Sequence, residues 1–446
     1  MTRNPKLLFL TWAFPPLRTA GSVRTWNVVK YLKTLGWDIT VVTPHPSVFR
    51  YLDASEEIDA SLKREGIGRI MTDHRWRCLI PEQLDCWNEN FGWFAGGVCR
   101  ILARRLGIDR DVGWIKAAER ACSSLTANDV DIILTSGPPF GAFSLAKRLS
   151  ERLGRPYVLD YRDPWTGNPH HGHLPPQAAT KREADALGDC AAVCIVSPSW
   201  GILLDRRFHV GSKLHIVVNG YDPGEMAEVK PYDFGHCAFV YAGIFYRPKR
   251  VITPFLAALK LLKESVTETD EKWYFHYYGV DEGHVREQAD RYGLADRIVC
   301  HGRVPRGEAL SAVKGARLSV VITSVAEEET LGDKGIVTGK IFEAIGLATP
   351  VLLIAPVGSD ARTITEPTGL VKSFTGTDVQ GMVSFLKDIV RRNTLQQQNI
   401  ELCSWTTISS SLDTVLRRSM IPVVSNHDVK GGERCGIGSD SARQSR

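Results

Sequence analysis

The sequence predicts an α/β protein built as two doubly wound parallel-sheet domains facing a cleft. Three observations predict it. Short apolar runs alternate with amphipathic stretches, the βαβ rhythm of a parallel sheet covered on both faces. That rhythm occurs twice along the chain. A dense turn cluster, Asn219-Gly220-Tyr221-Asp222-Pro223-Gly224, separates the two runs and reads as the linker. At 446 residues the chain exceeds one comfortable core, and domains of roughly 100–200 residues point to two units.

In the first run, strands are predicted over 6–11, 38–43, 130–135, 156–160, 191–197 and 214–218, and helices over 23–35, 140–153 and 181–187. Between about 48 and 121 the rhythm lapses. A segment with Trp76, Trp87, Trp93, Phe94 and Trp114 takes over and reads as a helical insertion. The second run predicts strands over 238–242, 272–278, 298–301, 318–322 and 351–354, with helices over 252–262, 285–292, 307–314, 340–345 and 379–390. A last amphipathic helix, about 407–418, follows Trp405, and the Gly, Ser, Asp and Arg composition beyond it predicts disorder. The expected divisions are 1–219, 220–404, a helix at 405–420 and a tail at 421–446.

With 43% hydrophobic and 24% charged residues the chain reads as soluble and globular. The net charge of +5 is small and its Lys and Arg are dispersed, which argues against a nucleic-acid partner. Ten cysteines are scattered without a CxxC pair or a His at metal spacing, so reduced thiols and no metal site are expected. The first apolar run is far short of the roughly 20 residues that cross a bilayer and reads as a strand. The expected location is cytoplasmic, extending to the inner face of the plasma membrane.

Ligands of open parallel sheets sit at the carboxyl ends of the strands, where helix starts present free N–H groups. In the turn over 12–24, Gly21 would let a ligand approach the backbone at the start of a helix. An ordinary βα turn has the same composition. Asp160, Arg162 and Asp163 cluster at the end of a strand, either as a polar binding edge or as an Asp–Arg ion pair that satisfies itself. After the strand ending at Gly243, the cations Arg247, Lys249 and Arg250 fall within four residues, suited to a diphosphate or to a solvated basic loop. Spacing leaves open which of the three binds. Lys340 and Glu343 lie three apart on the first turn of a helix whose Ile341, Phe342 and Ile345 can pack inward, so both polar groups can reach a ligand at its start. A carboxylate there can accept from both hydroxyls of a ribose, and it also suits the helix dipole without any ligand. The run Glu327-Glu328-Glu329 reads as a solvated, mobile loop, and residues 358–362 as another turn and helix start.

The Phe-Pro-Pro, Gly, Arg order before the first helix, the segment 36–43 after it, and above all residues 335–352 resemble glycosyltransferase family 4. The resemblance covers about 6–44 and 130–418. It implies the GT-B fold, two Rossmann-like domains, with a terminal helix crossing back to the first. It implies that cations after Gly243 hold the pyrophosphate of a nucleotide-diphosphate sugar, a UDP or GDP sugar, and that the Lys-x-x-Glu helix binds the nucleotide. The family's His-Asp or Arg-Asp pair falls on Arg162 and Asp163, beside the sugar and acceptor. Its usual second Glu falls on Gly335, which gives that role to the backbone N–H groups of Gly335 and Ile336.

The expected catalytic residues are therefore Arg162, Asp163, Arg247 and Lys249. The expected donor-binding residues are Gly21, Gly243, Arg250, Gly335, Lys340 and Glu343. No Asp-x-Asp motif suggests a metal, so Arg, Lys and helix starts would neutralise the leaving group. The resemblance implies retention of configuration, with the leaving diphosphate helping to deprotonate the acceptor, a glycan or lipid-linked hydroxyl. Closure about Asn219-Gly220 would exclude water. The insertion, with Arg100, Arg104, Arg105 and its Trp residues, reads either as a surface for peripheral membrane contact or as core. A nucleotide-sugar 2-epimerase and a non-catalytic sugar-nucleotide-binding partner are the alternative functions.

Overall fold

The structure is a computed structural model that describes residues 3–17, 19–46, 62, 65–72, 112–168, 177–265, 271–326, 330–392 and 395–421. Most of the insertion, including Trp76, Trp87, Trp93, Phe94, Arg100, Arg104 and Arg105, lies outside them, as do residues 327–329 and 422–446.

The first sheet contains β1 (Lys6–Thr11), β2 (Asp38–Pro44), β3 (Gly68–Thr72), β4 (Ile132–Gly137), β5 (Tyr157–Tyr161), β6 (Ala192–Ile195) and β7 (Leu214–Ile216). The helices among them are α1 (Ala20–Thr34), α2 (Val112–Ala121), α3 (Gly141–Leu153), α4 (Gln177–Gly188) and α5 (Pro198–Phe208). A short helix, α6 (Pro223–Glu228), follows. The second sheet contains β8 (Cys237–Ala242), β9 (Trp273–Tyr278), β10 (Ile298–Gly302), β11 (Leu318–Ile322), β12 (Val351–Ile354) and β13 (Val371–Phe374). Its helices are α7 (Thr253–Ser265), α8 (Glu282–Arg291), α9 (Arg306–Gly315), α10 (Leu331–Lys334), α11 (Gly339–Gly346), α12 (Asp360–Thr365) and α13 (Val379–Val390), and α14 (Trp405–Ser419) ends the described chain.

The first sheet has the order β3-β2-β1-β4-β5-β6-β7 and the second β10-β9-β8-β11-β12-β13, parallel throughout. In each, the winding reverses beside its first strand, β1 or β8, and that is where a crevice opens at the carboxyl ends. Near-continuous apolar strands such as Leu318–Ile322, buried at every residue, fit sheets covered on both faces.

α14 leaves the second unit and packs on the first: Trp405, Ile408, Leu412 and Leu416 join Leu7, Phe9 and Val28 in one cluster. Its return runs beside the outgoing chain, where Tyr221 N–H donates to Cys403 O at 3.0 Å and Trp405 N–H to Tyr221 O at 2.9 Å. Two crossings side by side therefore join the units.

Three expectations are corrected. The insertion is not helical throughout, because residues 68–72 form edge strand β3, paired in register with β2 from Thr40↔Gly68 to Pro44↔Thr72. The turn cluster is not wholly linker, because Asp222 caps α6 by accepting from Gly224 N–H at 2.9 Å and Glu225 N–H at 3.3 Å. Residues 198–208, read without an element, form α5, started by Pro198 in the first turn and ended by His209 in the left-handed conformation.

Candidate functional site

On the first unit, the turn after β1 enters α1 through a capping box: Ser22 N–H donates to Thr19 Oγ1 at 3.2 Å and Thr19 N–H to Ser22 Oγ at 2.8 Å. Gly21 lies one residue inside, against the guanidinium of Arg162, where a Cβ would overlap Arg162 Nη1. Arg162 reaches back to Pro138 O and leaves its buried Nε without a partner. Gly21 and Arg162 are thus brought together across the switch point of the first sheet.

Asp163 follows directly. Burial pushes its carboxyl up to about 6, against the lowering influence of Arg162. The pair interacts through space and forms no salt bridge; Asp160, two residues before Arg162, is ion-paired with Arg24 instead. Glu183 on α4 supports the same loop by accepting from Thr166 N–H at 3.2 Å and from its hydroxyl, and burial raises its carboxyl to about 7. Sequence reasoning missed Arg24 and Glu183, since each lies on another element from the loop it holds.

On the second unit, β8 runs into Gly243, whose φ of 141° favours glycine. The amine of Lys340 rests against it, where a Cβ would overlap Nζ, and lies 4.9 Å from the centre of the Tyr241 ring. Burial and then the charge of Arg250 bring Lys340 down to about 7, while Glu343 and Asp281 pull the other way. Lys340 therefore meets the backbone of Gly243 within the electrostatic reach of Arg250 and Glu343. Tyr277 hydroxyl donates to Gly243 O at 2.9 Å and accepts from Asp281 N–H at 3.0 Å, which fixes the loop.

The three cations after Gly243 diverge. Arg247 is exposed. Lys249 donates to Asp333 Oδ1 at 2.6 Å, and that carboxylate is buried. Arg250 is buried, with its guanidinium 5.0 Å from the Tyr246 ring centre. Glu343 is not open on all sides, because it pairs with Arg306, which also donates from Nε and Nη2 to Glu225 at 2.9 and 3.1 Å. Arg306 was missed because it begins a separate helix, α9. Gly335 does not lie in this convergence: it is buried against the indole of Trp200, from the other unit.

The site thus offers an amine near neutrality, a buried guanidinium and a carboxylate held by Arg306, together at the start of α11, whose Thr338 cap accepts from Lys340 N–H at 3.4 Å. Positive groups over an open backbone suit an anion, and a fixed carboxylate beside them suits hydroxyls.

Residues 21–225 match the model of Glycosyltransferase Family 4. The comparison with curated proteins finds no match. Among solved structures, sucrose-phosphate synthase from Thermosynechococcus elongatus aligns with a TM-score of 0.62 at 14% identity, covering 93% of this chain and 99% of that one. HepE from Anabaena, solved in complex with UDP-glucose, aligns at 0.55 and 13% over 93% and 99% of the two chains. The lipopolysaccharide outer core galactosyltransferase WaaB aligns at 0.55 and 12% over 93% and 99%. The chain has the GT-B fold of these enzymes, and the family match supports a glycosyltransferase of that type.

Proposed function

We propose that this GT-B glycosyltransferase moves a sugar from a UDP or GDP sugar to a hydroxyl of a glycan or lipid-linked acceptor, with retention of configuration and without a metal. The observation that carries the reading is Lys340 resting on Gly243 at the start of α11, where the charges of Arg250 and Glu343 both act on it. Lys340 and Arg250 take the diphosphate and Glu343 accepts from the ribose diol. Lys340 gains its proton more firmly as the phosphates arrive, so donor binding itself raises the positive charge at the leaving group. Binding of UDP or UDP-glucose by the similar HepE supports the donor class.

In the transfer, the bond between the sugar's anomeric carbon and the diphosphate oxygen breaks, and the acceptor oxygen bonds to that carbon on the same face. The acceptor proton passes to the departing diphosphate, leaving neutral product and nucleoside diphosphate. Arg162, which lies against Gly21 on the first unit, takes the sugar and acceptor side in this reading, with Asp163, its carboxyl raised to about 6 by burial, next to it in the chain. Contact of the 48–121 segment with an acidic membrane, and hence a role in polysaccharide or glycolipid assembly, rests on the sequence alone and is tested by sedimentation with anionic liposomes at low salt.

A thermal-shift panel of UDP, GDP, ADP and their sugars tests the donor. A ligand at a hundred times its dissociation constant stabilises by about 2.7 kcal/mol. No shift with any of them overturns the reading. Slow release of nucleoside diphosphate from the matching sugar separates transfer from binding alone.

A further inference from the structure

Gly335, where the sequence departs from the family pattern, is filled from the other unit. Trp200, on α5, is 4% exposed and occupies the space into which a side chain at 335 would project. Its Nε1–H donates to Gly332 O at 2.9 Å. Beside it, Ser199 donates from N and Oγ to the two carboxylate oxygens of Asp360, at 2.7 and 2.8 Å. Ile336 packs into the core cluster of the first unit. The segment around α10 is thus gripped by the unit opposite.

The next residue after Gly332 is Asp333. One oxygen of its buried carboxylate holds Lys249 Nζ, and the other accepts from Thr330 Oγ1 at 2.7 Å. An ammonium has three donors, so Lys249 can keep Asp333 and still donate to a phosphate. A path of contacts therefore runs from Trp200 through Gly332 and Asp333 to Lys249.

We infer that Trp200 is a positioning residue that couples the docking of the two units to the placement of Lys249 in the donor pocket. The inference rests on the nucleotide-sugar reading and adds Lys249, one of the cations that the resemblance expects on the diphosphate, to Lys340 and Arg250. When the units part, the indole leaves Gly332 and Gly335, α10 relaxes, and Lys249 loses its fixed partner. Linkage makes the effect reciprocal: a diphosphate that uses Lys249 as placed favours the docked arrangement.

The test uses the full chain with Trp200→Phe, which keeps a ring and loses the N–H, and Gly335→Ala, which displaces the indole. Amide exchange of residues 330–338 is followed without ligand, and UDP and GDP affinities by calorimetry, each also in a Lys249→Met background. The expected result is faster exchange confined to that segment and an affinity loss of roughly threefold to tenfold. With Lys249→Met present, Trp200→Phe should cost nothing further. Unchanged exchange, faster exchange with unchanged affinity, or losses that add to that of Lys249→Met each overturn the coupling. If the natural protein binds neither UDP nor GDP while exchange responds as expected, the donor reading has failed and takes the coupling with it. Should Gly335→Ala not fold, Trp200→Phe carries the test.

Discussion

Arg24 donates from Nε and Nη2 to the two carboxylate oxygens of Asp160, at 3.1 and 2.7 Å, and both side chains are buried. The same guanidinium donates to the carbonyls of Val217 and Val218 and to Asn219 Oδ1, each at 3.0 Å, and lies 5.5 Å from the Trp405 ring centre. One residue of α1 thereby ties β5 to both chain crossings between the units. Removing one member of such a pair leaves a buried charge uncompensated. Arg24→Met should lose about 3 to 5 kcal/mol of stability, read as a lower urea midpoint. A loss within the scatter of a surface substitution would show that the crossings are held by other contacts.

Lys340 titrates near 7 because of burial and Arg250, below its ordinary value of 10.5. Between these values the unfolded chain holds a proton that the folded chain lacks, so stability rises with pH from about 7 towards 10.5. Lys340→Met should raise the melting temperature of the ligand-free protein at pH 7, flatten that slope and weaken UDP or GDP binding by roughly tenfold or more. A variant that melts lower and binds as tightly would contradict both roles.

Glu343 shares Arg306 with Glu225, which holds the carboxylate in one orientation. Glu343→Gln should weaken the nucleoside diphosphate by roughly tenfold, the scale of one charge-assisted hydrogen bond. Inorganic pyrophosphate, which has no ribose, should bind as before. Equal losses for the two ligands in calorimetry would move Glu343 away from the diol.

His276 sits between two other histidines, with Nε2 2.9 Å from His236 Nε2 and Nδ1 2.9 Å from His301 Nε2. Burial and then its two neighbours lower it from 6.5 to about 4, and burial lowers His236 and His301 as well. The unfolded chain takes up protons first as the pH falls, so the stability present above 6.5 drains away between 6.5 and about 4. Denaturant titrations at pH 7 and pH 5 should show that loss, reduced by His276→Phe, whose ring can pack beside Phe234.

Elements were legible wherever a local pattern spells them out, as in the continuous apolar run of β11 or the 3.6-residue period of α11. β3 was not, because five residues of edge strand inside a Trp-rich segment carry too short a pattern; only pairing with β2 defines them. The cations after Gly243 were visible as a group, but their separate fates were not: Asp333 takes Lys249, the Tyr246 ring lies over Arg250, and Arg247 stays exposed.

By itself, then, the sequence determined two parallel sheets and the helix start bearing Lys340 and Glu343, which rest on spacing between near neighbours, while the return of the last helix was expected only through the family resemblance. Tertiary structure alone decided the partners. Arg24 and Asp160 stand 136 residues apart, and Trp200 and Gly332 132 apart. No periodicity reaches that far. Which buried charge meets which, and which indole fills the space left by a glycine, follows from the order of strands and from how the two sheets dock.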